Sequence, residues 1–372
     1  PYGLGDRWSF VNFDGGYHGR SAEDVRRFCA DADLYINLSG GAWFWRDEYA
    51  RIPRSVFIDS DPAFTQLAIA KAEPWYVDFF KRFNHLFTFG ANIGTPACAI
   101  PVGDFTWNKT WQPVTLDDWR TAVTPGPNFS TVMTWQIESF ADVGGNKDQE
   151  FVKYIDLPSR TRQPFELAIN GPQKLLQEHG WGTLPAMEVS RTADLYREFI
   201  QQSRAEFGVA KHTYVSTRSG WFSDRTECYL ASGRPALVQD TGWSAHLPSG
   251  EGLFAFSTPD EALAGIDAIT DESQLGHAHG LALGAQRQQV PRRQAREVDR
   301  AAVARAFQDV VGDDRDRLRV VQLQAARATA PRQFGGVEDR QTFQFGRGQQ
   351  HRRSRLVGEQ PQVRPRMAGG GD

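Results

Sequence analysis

The stretch Ser219-Gly220-Trp221-Phe222-Ser223-Asp224-Arg225-Thr226-Glu227-Cys228-Tyr229-Leu230-Ala231-Ser232-Gly233-Arg234-Pro235-Ala236-Leu237-Val238-Gln239-Asp240-Thr241-Gly242 reads as loop, helix, strand and loop. Just upstream, Thr213-Tyr214-Val215 is a short β-prone run ending in the polar Ser216 to Gly220, which predicts a strand entering a loop. A helix should start at Ser223 or Asp224, since either can cap it and Glu227 stands three residues after Asp224, the spacing of a capping box. Gly233 can take the left-handed conformation that ends a helix, and Arg234-Pro235 then turns the chain into Ala236-Leu237-Val238. That run is short enough for a buried parallel strand. If the two strands are parallel, loops 216–223 and 240–243 open at the carboxyl edge of one sheet, where open α/β sheets bind ligands. The helix amino terminus at that edge favours anions.

In these residues the chain resembles the nucleotide-sugar-dependent glycosyltransferases of GT-B architecture, in particular the donor domain of their family-1-like and family-4-like members. The resemblance lies in a glycine and an aromatic residue followed by Glu227, Ala231, Gly233 and Pro235, an apolar strand, and a loop with Gly242. It continues through the strand-like Gly252 to Phe256 and a helix over Pro259 to Ile266, where Thr258 and Glu261 form a second capping box. Two positions depart from the pattern. Ser219 stands where many retaining members carry a first glutamate, and Gly242-Trp243 where many have two glycines.

The resemblance implies a donor nucleotide-sugar site built from Arg218, Ser219, Gly220, Glu227, Asp240, Thr241 and Gly242. Within it Glu227 would hold the ribose hydroxyls, because a carboxylate can accept two hydrogen bonds from a vicinal diol; a simple capping role is compatible with that. Thr241 could bond a phosphate or sugar hydroxyl, while an Asx turn at Asp240 is the structural alternative. The helix amino terminus after Gly220, helped by Arg218 or Arg225, would stabilise the leaving diphosphate. Each arginine could equally be a solvated surface residue. For deprotonating an acceptor, the candidates are Asp14 and His18 in the turn Asp14-Gly-Gly-Tyr-His18, an imidazole being suited to that task near neutral pH. His85, His212 and His246 rank below them, His212 as a residue flanking the strand.

Earlier in the chain, strands and helices alternate. A helix is predicted over Ala22 to Ala30 with Ser21 as cap, strands over Leu34–Leu38, Ser55–Ile58 and Leu86–Phe89, and a helix over Phe64 to Ala72. A proline and glycine cluster, Thr124 to Asn128, marks a boundary before a strand at Ser130–Thr134. A helix over Asp148 to Ile155 and a strand over Phe165–Ile169 follow. The expected fold is α/β, two Rossmann-like domains facing a cleft: an acceptor-side domain over 1–125, whose first strand and glycine-rich loop are expected to be missing, and a donor domain over 126–270. Asp59-Ser60-Asp61 has the form of a metal-binding Asp-x-Asp, but Pro62 makes a turn or cap the cheaper explanation. No metal and no cofactor beyond the sugar-nucleotide co-substrate are expected.

The net charge of -3 conceals a split near residue 270. Residues 271–372 hold 18 Arg, no Lys and 12 acidic residues, so they carry +6 and the preceding part -9. Asn, Ile, Tyr, Trp and Cys are absent there, a bias toward GC-rich codons that suggests a frameshifted or otherwise aberrant end. A basic disordered tail is the alternative, with lysines and interleaved aromatics lacking for nucleic acid. No apolar run is long enough to span a membrane. Cys29, Cys98 and Cys228 are scattered and odd in number, which points to free thiols and a cytoplasmic setting. The functional expectation is a hexosyltransferase-like enzyme acting on an NDP-sugar and an unidentified acceptor. An epimerase of the same architecture and a catalytically impaired sugar-nucleotide binder are the alternatives.

Overall fold

In the computed structural model, which describes residues 6–11, 15–41, 45–71, 74–136, 145–270 and 320–324, the apolar runs pair into two separate parallel sheets. A small antiparallel hairpin precedes them, β1 (Ser9–Val11) against β2 (Tyr17–Gly19). α1 (Ala22–Ala30) starts where local chemistry dictates: Ser21 Oγ accepts from the Asp24 amide at 3.2 Å, and the Asp24 carboxylate accepts from the Ser21 amide at 3.3 Å. β3 (Leu34–Leu38), β4 (Ser55–Asp59), α2 (Phe64–Ala70), α3 (Pro74–Phe80), β5 (His85–Thr88) and β6 (Trp107–Lys109) follow. The four strands pair in sequence order. One face of this sheet buries an aromatic core in which the Phe57 ring meets Phe80 at 4.7 Å and Phe83 at 5.5 Å between centroids.

The connecting segment carries α4 (Leu116–Trp119). It packs on the second half of the chain, with Trp111, Val114, Leu116 and Trp119 against a cluster containing Phe222, Leu230 and Trp243. The second half contains β7 (Phe129–Thr134), α5 (Lys147–Phe151), α6 (Leu157–Arg160), β8 (Phe165–Asn170), α7 (Gln173–Glu178), β9 (Gly182–Pro185), α8 (Ala186–Ser190) and α9 (Ala193–Gln202). It continues with β10 (Ala205–Gly208), α10 (His212–Ser216), α11 (Asp224–Ala231), β11 (Ala236–Gln239), β12 (Leu253–Phe256) and α12 (Pro259–Thr270). The sheet runs β12-β11-β10-β7-β8-β9, all parallel. Strand order therefore reverses between β7 and β10, the point where doubly wound sheets leave a crevice at their carboxyl ends. Among residues 271–372, only β13 (Val320–Gln324) is described; it lies parallel to β3 with Val320 opposite Leu34.

Two local readings are corrected. Thr213-Tyr214-Val215 belongs to α10 and not to a strand. The strand entering the loop is β10, whose Ala-Glu-Phe-Gly sequence hides it, since a charged residue and a glycine argue against a central strand. Tertiary structure overrides that signal, because the Glu206 carboxylate is fully buried and receives the Arg225 guanidinium at 2.6 Å. The second correction concerns the start of α11. Ser223 is the N-cap, and the Asp224 carboxylate bonds the neighbouring Arg225 amide at 2.9 Å, so Asp224 and Glu227 form no capping box. The helix ends as expected: Gly233 (φ 71°) donates to Leu230 O at 2.9 Å and Arg234 to Tyr229 O at 2.9 Å, a Schellman motif.

Candidate functional site

Buried charge collects at the switch point. Lys147, the first residue of α5, is buried, and its Nζ donates to Val209 O just beyond β10 at 2.6 Å. Among the described residues no carboxylate forms a salt bridge with it. Burial, then the nearby cations Arg225 and Lys211, drive its pKa well below the ordinary lysine value, so the site would gain from an added anion. Arg225, which the sequence left open as a diphosphate-facing or a solvated surface residue, is largely buried. From the first turn of α11 its side chain bonds Glu206 and donates to Val132 O of β7 at 2.8 Å, which ties β7, β10 and α11 together. Glu206 Oε2, Thr131 Oγ1 and Thr226 Oγ1 are buried beneath α11 without a hydrogen-bond partner among the described residues.

Glu227 lies in the first turn of α11 with only 5 % of its surface exposed. Among the described residues nothing donates to its carboxylate. Burial, reinforced by the Asp224 carboxylate, pushes it up from the ordinary 4.5 to about 7. The Asp224 carboxylate acts on Lys147 as well, in the opposite sense to its burial. Burial without a donor among the described residues makes the charged form of Glu227 costly in the free protein. Vicinal hydroxyls would supply what it lacks.

The two glycine loops are built differently. Gly220 N donates to Thr241 O at 2.8 Å, joining loop 216–223 to loop 240–243. Thr241 is fully buried with its hydroxyl on Trp221 O at 2.6 Å. Asp240 makes the Asx turn: its carboxylate accepts from the Gly242 amide at 2.8 Å and from Ser244 Oγ at 2.8 Å. Ser219 is buried, its Oγ taking the Trp221 amide at 3.3 Å, while the Arg218 side chain is exposed. Structure thus brings Arg218, Ser219, Gly220, Thr241 and Gly242 together. Glu227 stands apart on its helix, and the amides of Gly220, Trp221 and Gly242 are already engaged.

The remaining candidates scatter. Asp14 lies outside the described residues. His18 is an exposed residue of β2 whose ring sits 6.1 Å from that of Phe10 in the same hairpin. The Asp-x-Asp carboxylates have separate structural partners: buried Asp59 accepts from Thr65 Oγ1, Gln66 Nε2 and Thr88 Oγ1 at 2.8, 2.9 and 3.1 Å, and Asp61 pairs with Lys211 at 2.8 Å. Burial pushes Asp59 up to about 6. Among the described residues, no group of three His, Cys, Asp or Glu side chains is placed to hold a metal. His212, read as a flanking residue, opens α10 and bonds Glu150 at 2.7 Å through Nδ1; Gln239 donates to the other Glu150 oxygen at 2.6 Å. Sequence reading passed over Lys147, Glu206 and Glu150. A lysine or glutamate near a helix start, like a glutamate in a short run with a glycine, is ordinarily a solvated residue, and only the long-range sheet order buries these.

Solved structures to which the chain is similar include glycosyltransferases. The chain is similar to a trehalose-6-phosphate synthase (13 % identity, 73 % of this chain and 77 % of that one, TM-score 0.43). It is similar also to HepE of Anabaena, solved with UDP and glucose (12 %, 78 % and 80 %, TM-score 0.46), and to a glycosyltransferase of Rickettsia africae (8 %, 76 % and 100 %, TM-score 0.42). No protein-family description and no curated protein matches the sequence. Among the described residues no helix is long and apolar enough to cross a membrane.

Proposed function

We propose that the protein is a glycosyltransferase that binds a nucleoside-diphosphate sugar at the β7/β10 switch point, with Glu227 on the ribose. The observation that carries this reading is the Glu227 carboxylate on the first turn of α11, buried and without a donor among the described residues. A ribose diol offers two donors to that group, and Lys147 offers a desolvated ammonium to the diphosphate leaving group. The transfer is metal-independent: Asp59 and Asp61, the motif that could have held an ion, are spent on Thr65, Gln66, Thr88 and Lys211.

A panel of NDP-sugars, followed by calorimetry and by release of free nucleotide with and without acceptor sugars, tests the proposal. Binding of at least one nucleotide that is lost in Glu227→Ala, with release that needs an acceptor and survives EDTA, is the expected result. Undiminished binding in Glu227→Ala would refute the ribose assignment.

A further inference from the structure

Loop 90–92, which follows β5 in the first sheet, occupies the space the glycine loops of the second sheet leave open. Gly90 forms an antiparallel bridge with Trp221, Ala91 N donates to Gly220 O at 3.3 Å, and Asn92 N donates to Ser219 O at 3.0 Å. The Asn92 carboxamide completes the contact, Nδ2 donating to Arg218 O at 2.9 Å and Gly242 O at 3.3 Å. Two carbonyl partners fix which end of the amide is which. Oδ1 therefore faces His246, whose Nε2, 2.7 Å away, must carry the proton.

Backbone shape follows the same contact. Arg218 (φ 51°), Gly220 (φ 73°) and Gly242 (φ 95°) all take left-handed conformations. A Cβ on Gly220 would stand 2.7 Å from Asn92 N, and one on Gly242 2.5 Å from Asn92 Nδ2. The glycines thus make room for the first domain. The rim they form offers the carbonyls of 218, 219, 220 and 242, all acceptors, and a phosphate brings only acceptors. A second point of contact lies alongside: Lys211 pairs with Asp61 and stands 4.7 Å from the centre of the Phe64 ring, while Tyr214 meets Phe64 at 5.8 Å and Trp221 at 4.5 Å.

We propose that Asn92 is a positioning residue, the latch of a clasp holding loops 218–220 and 240–242 against the first domain, whose release opens the cleft beside the switch point. The consequence for ligand affinity rests on the donor reading above; the clasp itself does not.

Spin labels on the exposed positions Lys81→Cys and Glu178→Cys, one in each half of the full-length chain, report the interdomain distance without any ligand. Parent protein should give one narrow distribution. Asn92→Asp, which sets a carboxylate against the Arg218 and Gly242 carbonyls, should add a longer component, with the open-to-closed ratio raised by roughly tenfold, as loss of a few net hydrogen bonds implies. His246→Ala removes the bond to Asn92 Oδ1 together with the ring contact to Trp111 and should shift the ratio the same way but less, which keeps the proposal testable if Asn92→Asp does not fold. Identical distributions in parent and in every folded variant would overturn the clasp. UDP titration of the same samples supplies the functional readout: affinity should fall with Asn92→Asp although Glu227 is intact, and unchanged affinity would overturn the positioning role. A parent that binds no UDP would count against the donor reading and leave the distance result to decide the clasp.

Discussion

Replacing Glu227 with glutamine should make the free protein more stable while weakening its hold on nucleotide. The carboxyl rises from about 4.5 to about 7 on folding. Between those values the folded state holds a proton that the unfolded state has lost, so this group makes stability fall as pH rises from 4.5 to 7, with the full penalty present above 7. A shift of about 2.5 units corresponds to roughly 3 kcal/mol at ~1.4 kcal/mol per unit. With 5 % of the residue exposed, solvent screening reduces it little. Glutamine removes the titration and fits the same space. Subtracting the variant's stability profile from the parent's isolates Glu227 from Asp59 and every other titrating group. Thermal or urea unfolding of both proteins from pH 5 to 8 should show curves that diverge with pH, Glu227→Gln being the more stable by up to about 3 kcal/mol above pH 7. UDP affinity should fall by about tenfold to a hundredfold, the worth of a charge-assisted hydrogen bond at ~1.5–3 kcal/mol. Parallel stability profiles would refute the desolvation argument. Equal UDP affinity would refute the ribose role, whatever the stability result.

Other perturbations separate structural charge from functional charge. Lys147→Met should leave stability unchanged or higher, since a buried ammonium with one carbonyl bond is replaced by a side chain of similar shape, yet calorimetry should record at least a tenfold loss of UDP affinity against a smaller loss of uridine affinity. Arg225→Met should behave in the opposite way: it strands the fully buried Glu206, so urea unfolding should register a loss of about 3 to 5 kcal/mol. Asp59→Ala leaves the donors of Thr65, Gln66 and Thr88 unpaired and should cost about 2 to 4 kcal/mol in the same assay.

Much of the architecture was legible because its signals are local. Ser21 and Asp24 fix the start of α1, Gly233 and Pro235 fix the passage from α11 to β11, and the runs at 34–38, 55–58, 130–134 and 236–238 have the composition of buried strands. β10 escaped for the converse reason. Glu206 fits a central strand only because Arg225, nineteen residues later, meets it, and no window of sequence contains both the strand and its partner in space. The same distance misled the reading of Thr213 to Val215, β-prone by type but helical where Tyr214 packs between Phe64 and Trp221.

By itself the sequence determined an α/β chain with a helix amino terminus and two glycine loops at one sheet edge, and it marked Glu227 as the residue to watch. Cap chemistry and hydrophobic period act over a few residues, so they can be read in order along the chain. Only the tertiary structure decided what each group faces. The sheet order buries Lys147 against Val209 at the end of β10, α11 buries Glu227, and the approach of loop 90–92 commits Gly220 and Gly242 to the first domain. Desolvation and hydrogen-bond commitment arise from neighbours 60 to 150 residues away, and these set the charge state and availability on which the chemistry depends.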